Sequence, residues 1–232
     1  MTDTHTHILP GMDDGARDVN TALRMLRMER EQGIAAVALT PHYYSDEESV
    51  EAFLRRREAS LSMLEGAIEA LPEAERSRLP RRVVGAEVAW SAHMEQWQRL
   101  GELCYAGSGY LLVELPFTAW NGELFRGLYA LMERTGVTPV VAHIDRYWGR
   151  VDRGAMEELL SMGLPVQLSA SAVTDWRTRG AALRLLRRRK AQLLISDAHG
   201  NRERAPDIGA ALDVIRRRDA ALCAAVRSFR LV

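Results

Sequence analysis

Two cysteines are all that 232 residues contain, and Cys104 and Cys223 lie far apart without the paired spacing of a metal finger. A disulfide framework is therefore excluded, and the reading is two packed thiols in a reducing compartment. An excess of charge of either sign is also missing, since Lys+Arg and Asp+Glu are both 31. No whole-protein field favours nucleic acid or an anionic membrane, so any attraction for an anion must be local. The densest basic run, Arg187 to Lys190, closes a helical pattern where cations complement the helix dipole, and it reads as a solvated face. Long apolar runs are absent as well: none reaches the ~18 residues a membrane span needs. The first residues form a polar motif rather than a signal peptide, so the expectation is a soluble, cytoplasmic protein with no membrane insertion. Linkers rich in Pro, Gly or Ser are missing too, and residues 1–232 read as a single domain.

What is present is concentrated at the start. Asp3-Thr-His5-Thr-His7-Ile-Leu-Pro-Gly-Met-Asp13-Asp14-Gly15 packs two imidazoles and three carboxylates into one short segment. If Asp3 to His7 is a strand, its two-residue period puts Asp3, His5 and His7 on one face, and both imidazoles reach a single cation. Asp13 and Asp14 follow a Pro-Gly turn and can fold back over the same strand end.

A second pattern recurs along the chain: a charged helical stretch, a glycine, then a run of β-branched and small apolar residues. It stands at Gly33, Gly136 and Gly163. Glycine just past a helix is a left-handed cap, and the apolar run that follows is a buried strand, so the joints imply a parallel sheet. Filling the intervals predicts strands near 3–7, 34–40, 82–87, 110–114, 138–142, 165–169 and 192–196, with helices between most of them. Residues 45–82 read as a long charged helix and a loop inserted in this alternation, and His93 as part of a helical stretch after Trp90. The alternation over the whole length predicts one closed α/β barrel.

Five of the six histidines fall at or just after a predicted strand's C-terminal end: His5, His7, His42, His143 and His199. Glu87, Glu114 and Asp197 follow the same rule, and Asp14 joins them by the fold-back. In α/β barrels the loops at this end converge on one mouth, where active sites lie. Imidazole and carboxylate without thiolate suit manganese, iron or zinc.

These segments, together with Thr40-Pro-His42, Gly85-Ala-Glu87, Val113-Glu114-Leu-Pro, Ala142-His143-Ile-Asp-Arg146-Tyr and Ser196-Asp197-Ala-His199 with Arg204 following, run in order over nearly the whole chain. The chain thereby resembles the polymerase-and-histidinol-phosphatase (PHP) superfamily, and within it the bacterial tyrosine phosphatases encoded with capsule and exopolysaccharide genes. The resemblance implies a distorted (β/α)7 barrel, TIM-barrel-like, with a metal cluster at the C-terminal ends of its strands. It implies three divalent transition-metal ions, manganese first, with iron or zinc as alternatives. One would be held by His5, His7, Glu87 and Asp197, a second by Glu87, Glu114 and His143, a third by Asp14, His42 and His199. Asp13 is the alternative to Asp14. Asp145 stands where that branch more often has Glu, a change expected to leave His143 and Arg146 in place. The implied substrate is a phosphotyrosine protein, with a bacterial tyrosine autokinase controlling polysaccharide export as partner.

The chemistry agrees with the resemblance. Three divalent ions against four carboxylates leave about two positive charges, the complement of a phosphate monoester dianion. Closely bridged metals lower the pKa of water toward roughly 7, supplying hydroxide for in-line attack. Arg146 and Arg204 are placed to clamp phosphoryl oxygens, and Asp3 to orient a ligand histidine from behind. Phe117, Trp120, Tyr147 and Trp148 are candidates to line a pocket for an aromatic ring. Cys104 is followed six positions later by Tyr110 rather than an arginine, so the phosphate loop of cysteine-dependent tyrosine phosphatases is absent. Two other functions are open to this sequence: a phosphomonoesterase for a small molecule such as histidinol phosphate or a nucleotide, and a non-catalytic regulator, against which the complete ligand set speaks.

Overall fold

A computed structural model of the chain describes residues 1–118 and 120–231. Its strands are β1 (Thr2–Thr6), β2 (Ala36–Leu39), β3 (His42–Tyr43), β4 (Arg81–Val84), β5 (Glu87–Ala89), β6 (Tyr110–Glu114), β7 (Thr138–Val141), β8 (Gln167–Ser169) and β9 (Leu193–Ile195). The helices are α1 (Val19–Glu31), α2 (Val50–Glu69), α3 (Glu73–Arg76), α4 (Gly122–Thr135), α5 (Arg153–Ser161), α6 (Ala170–Thr174), α7 (Arg179–Arg187), α8 (Ile208–Arg218) and α9 (Ala220–Ser228). This is a mixed α/β fold in which every strand pair is parallel, in the orders β1-β2-β4, β3-β5-β6-β7 and β8-β9. Single parallel bridges, Thr6 to Ala198 and Val141 to Val166, join the edges of these sets.

The glycine joints act as their positions suggest. Gly33, Gly136 and Gly163 have φ of 77°, 71° and 76°, the left-handed turn that ends a helix and feeds the next strand. Helix starts are equally local: Asp18, Ser49, Asn121 and Asp152 each accept a hydrogen bond from a backbone N–H of the following first turn.

Two predicted strands come in two pieces. The ladder of β2 resumes beyond Thr40-Pro41 as β3, and that of β4 resumes beyond Gly85-Ala86 as β5, with Gly85 N–H donating to Leu39 O and Glu87 N–H to Pro41 O across the break. Pro41 has no N–H to continue a ladder, and a Cβ on Gly85 would lie 3.1 Å from the ring of Tyr105, whose hydroxyl donates to Thr4 O. The resumed ladder sets His42 directly beside Glu87.

Alternation along the strands divides the apolar residues between two faces. Ala38, Val83, Leu112, Val140, Leu193 and Ile195 gather with Tyr105 on one face. Val37, Leu39, Leu111, Val113, Val141, Leu168 and Leu194 pack on the other with the helices. Helix α1 supplies the fully buried Met25 and Leu26 to that layer, each worth about 1.5–3 kcal/mol in transfer from water. The inserted helix α2 packs on α1 and pins the loop after β1: Ser60 Oγ donates to Pro10 O, and Arg56 Nη2 to Met12 O. His93 is exposed and in the left-handed region (φ 64°), where it caps a single 3-10 turn, Met94–Gln96, rather than lying inside a helix.

Candidate metal centre

The strand ends bring five imidazoles around two buried carboxylates. His5 Nε2 lies 3.0 Å from Glu87 Oε2 and 3.5 Å from Asp197 Oδ1, and His7 Nε2 lies 3.4 Å from each of the same two oxygens. His42 Nδ1 is 2.9 Å from Glu87 Oε2. His143 Nε2 is 2.9 Å from Glu87 Oε1 and 3.3 Å from Glu114 Oε1. His199 Nε2 and His42 Nε2 lie 3.3 and 3.5 Å from Asp14 Oδ1. Among the described residues, three groups have donor atoms close enough to hold an ion: His7, Asp14, His42 and His199; His5, His7 and Glu87; His42, Glu87 and Glu114. These overlap the grouping expected from the sequence, with three differences: His7 also reaches the Asp14 group, His42 stands where His143 was expected, and Asp197, whose Oδ2 pairs with Arg146 and Arg204, is not in the group of His5, His7 and Glu87.

Charge explains why such a cluster tolerates burial. Burial would raise Glu87, but His5, His143 and His42 hold it well below the usual carboxylate range. Burial opposes the ionised form of Asp197 in the same way and is outweighed by His5, His7 and Arg146, so it too stays ionised at low pH. Burial would lower His143, yet Glu114 and Glu87 raise it to about 9, while His199, desolvated and beside His7, falls to about 4. Protons thus compensate carboxylates that divalent cations would otherwise compensate, which makes metal binding and proton release one equilibrium. Glu87 Oε2, Asp197 Oδ1 and His199 Nε2 are buried, and among the described residues none has a partner at a hydrogen-bonding angle, close as the neighbouring groups of the cluster are. Orphaned donor atoms converging on one space, all imidazole nitrogen and carboxylate oxygen, fit a cluster of borderline divalent ions.

Residues behind the cluster fix which nitrogen each ring presents. His7 Nδ1 is 2.7 Å from Asp13 Oδ2, which also accepts from His42 N–H, while Asp13 Oδ1 accepts from Gly15 N–H. Burial is overridden by the bond to His7, and Asp13 falls to about 2. Asp13 is thereby fully engaged as an orienting group, whereas Asp14, 65% exposed, faces His42 and His199. Gly15 permits this turn, because a Cβ there would stand 2.2 Å from His7 O.

Asp3 meets His5 through the backbone rather than through the ring. Its carboxylate accepts from the backbone N–H groups of His5 and Ser196, so it ties β1 to the end of β9 and touches no imidazole. The ring of His5 is oriented instead by Gln167, whose Oε1 is 2.9 Å from His5 Nδ1 and whose Nε2 donates to Thr4 O and Thr4 Oγ1. Gln167 escaped the sequence reading, although a polar residue inside the apolar run of Leu164 to Leu168 was its signal. Asp145, which differs from the expected Glu, accepts from Ser169 N–H and leaves Arg146 free to turn to the site.

Arg146 and Arg204 both pair with Asp197 Oδ2 at the mouth, and Arg204 Nη1 lies 3.6 Å from Asp14 Oδ2. They remain 34% and 42% exposed. His143, Asp197 and Arg204 are non-glycine residues with φ of 23°, 53° and 47°, an arrangement that costs about 1 kcal/mol or more apiece and persists only where surroundings enforce it.

The aromatic expectation holds in part. Tyr147 and Trp120 are buried, with centroids 4.9 Å apart, and the Tyr147 hydroxyl accepts from Leu115 N–H, so both serve packing beneath the site rather than its mouth. Trp148 opens onto a separate cleft with Met156 and Lys190. Phe117 remains at the mouth, parallel to His143 at 6.4 Å, and Tyr44, unremarked in the sequence, stacks on His42 at 5.5 Å.

Comparison with known proteins agrees in extent. The chain is 24% identical over 234 residues to the tyrosine-protein phosphatase CpsB of Streptococcus pneumoniae, covering 94% of this chain and 90% of that protein. It is 27% identical over 223 residues to the tyrosine-protein phosphatase YwqE of Bacillus subtilis, covering 88% and 79%. A chain from the crystal structures of YwqE and CpsB, described as metal-dependent tyrosine phosphatases, superposes with a TM-score of 0.78 at 24% identity, covering 100% of this chain and 96% of that one, and so shares the fold. Over residues 1–225 the sequence matches the family described as capsular polysaccharide synthesis, CpsB/CapC, and the chain belongs to that family.

Proposed function

We propose that this chain is a metal-dependent protein-tyrosine phosphatase of capsule or exopolysaccharide synthesis, acting in the cytoplasm on a tyrosine autokinase. The observation that carries the reading is the convergence of His5, His7, His42, His143 and His199 on Glu87 and Asp197, with Arg146 and Arg204 at the same mouth. Relatives covering nearly the whole chain are tyrosine-protein phosphatases. No helix among the described residues is long and apolar enough to cross a membrane.

The frame we infer is a single domain, a (β/α)7 barrel, counting β2 with β3 and β4 with β5 as one strand each; the Thr6–Ala198 and Val141–Val166 bridges between the three sheets support that closure. Three ions, manganese foremost, would be held by His5, His7, Glu87 and Asp197, by Glu87, Glu114 and His143, and by Asp14, His42 and His199. When bound, such ions acidify water toward a pKa of about 7 and neutralise phosphoryl charge.

The protein's own groups do the rest. Gln167 and Asp13 hold His5 and His7 in one tautomer with Nε2 directed into the centre. Arg146 and Arg204 donate to phosphoryl oxygens where charge accumulates in the transition state. Phe117 and Tyr44 flank the mouth against the ester's ring, and the phenolate leaves with little acid assistance because it is weakly basic.

The test is hydrolysis of a phosphotyrosine peptide against histidinol phosphate and nucleoside monophosphates, with added manganese and with excess chelator. Preference for the peptide, abolished by chelator and restored by manganese, is expected. Preference for a small ester assigns the centre to a small-molecule phosphatase, and full activity in chelator overturns the metal-based reading.

A further inference from the structure

The mouth of the metal centre is electrically lopsided. On one side of Asp14 and His199 opens a cleft of about 680 Å³ that carries Arg17, Arg24, Arg202 and Arg204 against a single further carboxylate, Glu203. On the other side of Asp14 lies a smaller cleft of about 290 Å³ with Asp13, Glu47 and Glu48 in its wall, where the one arginine, Arg56, is paired with Glu48. We propose that the basic cleft is a subsite for an anionic group flanking the phosphotyrosine on the substrate chain, either carboxylate side chains or a second phosphate. The inference rests on the phosphatase reading above and extends it to sequence preference.

Two arginines of this cleft, Arg24 and Arg202, lack the carboxylate partner that many surface arginines have. Arg27, Arg56, Arg82, Arg134 and Arg187 are each bound to a carboxylate, at Glu75, Glu48, Glu65, Glu95 and Asp219. Among the described residues, Arg24 bonds only to the hydroxyl of Thr21, and Arg202 has no carboxylate partner within 4.0 Å. Arg17 touches Asp18 alone, and Asp18 is already engaged as the cap of α1, accepting from Thr21 N–H. The loop that carries Arg202 and Arg204 is folded back by a bond from His199 N–H to Arg204 O, so their backbone is anchored to a residue of the centre.

In a chain whose formal net charge is +0, the unpaired guanidinium groups of Arg24 and Arg202, set beside Arg17 and Arg204, outnumber the carboxylates of Asp14 and Glu203 in one concavity and make a local positive field. A single exposed pair contributes little, but several forked donors in a cleft favour carboxylate and phosphate oxygens. The acidic cleft repels the same group, so the field gives the bound chain a direction.

The experiment compares kcat/KM for phosphotyrosine peptides with neutral flanks, glutamates on the N-terminal side, glutamates on the C-terminal side, and a second phosphotyrosine, in the manganese-loaded protein. An aryl phosphate without a peptide is the control. Acidic residues on one side, or the second phosphate, should raise kcat/KM about tenfold through KM, and which peptide gains identifies carboxylate or phosphate as the source. The Arg24→Ala/Arg202→Ala double variant should lose that gain, at about threefold or more per arginine, with aryl-phosphate turnover and metal content unchanged. Equal rates on all flanks, or a preference that survives the double variant, overturns the subsite while the phosphatase assignment stands. Turnover of aryl phosphate with none of any phosphotyrosine peptide would instead sink the protein-tyrosine-phosphatase assignment, and the subsite with it.

Discussion

Replacing Gln167 with leucine, nearly its size and without polar atoms, tests whether the ring of His5 must be held from behind. The substitution removes the acceptor 2.9 Å from His5 Nδ1 and the donor to Thr4 O at 3.2 Å. Thr4 O keeps its bond from the Tyr105 hydroxyl at 2.8 Å, so the groups left orphaned are the fully buried His5 Nδ1 and the buried Thr4 Oγ1. An unsatisfied buried donor costs about 1–3 kcal/mol. Loss of a group that orients a metal-binding histidine lowers metal affinity about 10- to 100-fold, or ~1.4–2.8 kcal/mol, the same range reached independently. Metal titration of Gln167→Leu, with circular dichroism to establish folding, is expected to show that weakening, and saturating manganese should recover part of the aryl-phosphate turnover. Metal affinity within twofold of wild type in a folded variant refutes the argument, since His5 would then hold its tautomer unaided.

Three further outcomes follow from other residues. Arg146→Ala and Arg204→Ala should each lower turnover about 100-fold or more with metal content intact, because both meet Asp197 at the mouth; wild-type rates in metallated variants would mean the metals alone hold the phosphate. Cys104→Ser should keep its turnover: burial pushes the Cys104 thiol up to about 11, the opposite of an activated nucleophile, and loss of activity in a folded variant would restore covalent catalysis. Burial, reinforced by the charge of Asp3, raises Asp207 from its ordinary 3.8 to about 7. The folded state therefore retains a proton the unfolded state has released; the stability it carries is complete below about pH 4 and is lost as pH rises through 7. Asp207→Asn should remove on the order of 2–4 kcal/mol of that decline in urea unfolding between pH 4 and 8, and parallel profiles for the two proteins would contradict it.

Much of this molecule is written locally. A glycine after a helix has one inexpensive conformation, left-handed, and Gly33, Gly136 and Gly163 all adopt it, so helix-to-strand joints and the parallel order could be read from short segments. Histidines and carboxylates at apolar strand ends were equally legible, because a strand's length and its apolar run are properties of a few consecutive residues. The pairing of those side chains is not. Asp13 and Asp14 are adjacent and chemically alike, and only the turn closed by Gly15 directs one to the backbone and His7 and the other to His42 and His199. Gln167 meets His5 across 162 positions of chain, and Asp3 meets Ser196 across 193. Whether an aromatic lines the mouth, as Phe117 and Tyr44 do, or is buried beneath it, as Tyr147 and Trp120 are, depends on packing against other elements. Sequence determined the chemical types and their places at the strand ends, since backbone geometry and hydrophobic period act over neighbours. Tertiary structure alone decided which nitrogen faces which oxygen and which arginines go unpaired, since those contacts form between segments that only the folded sheet brings together.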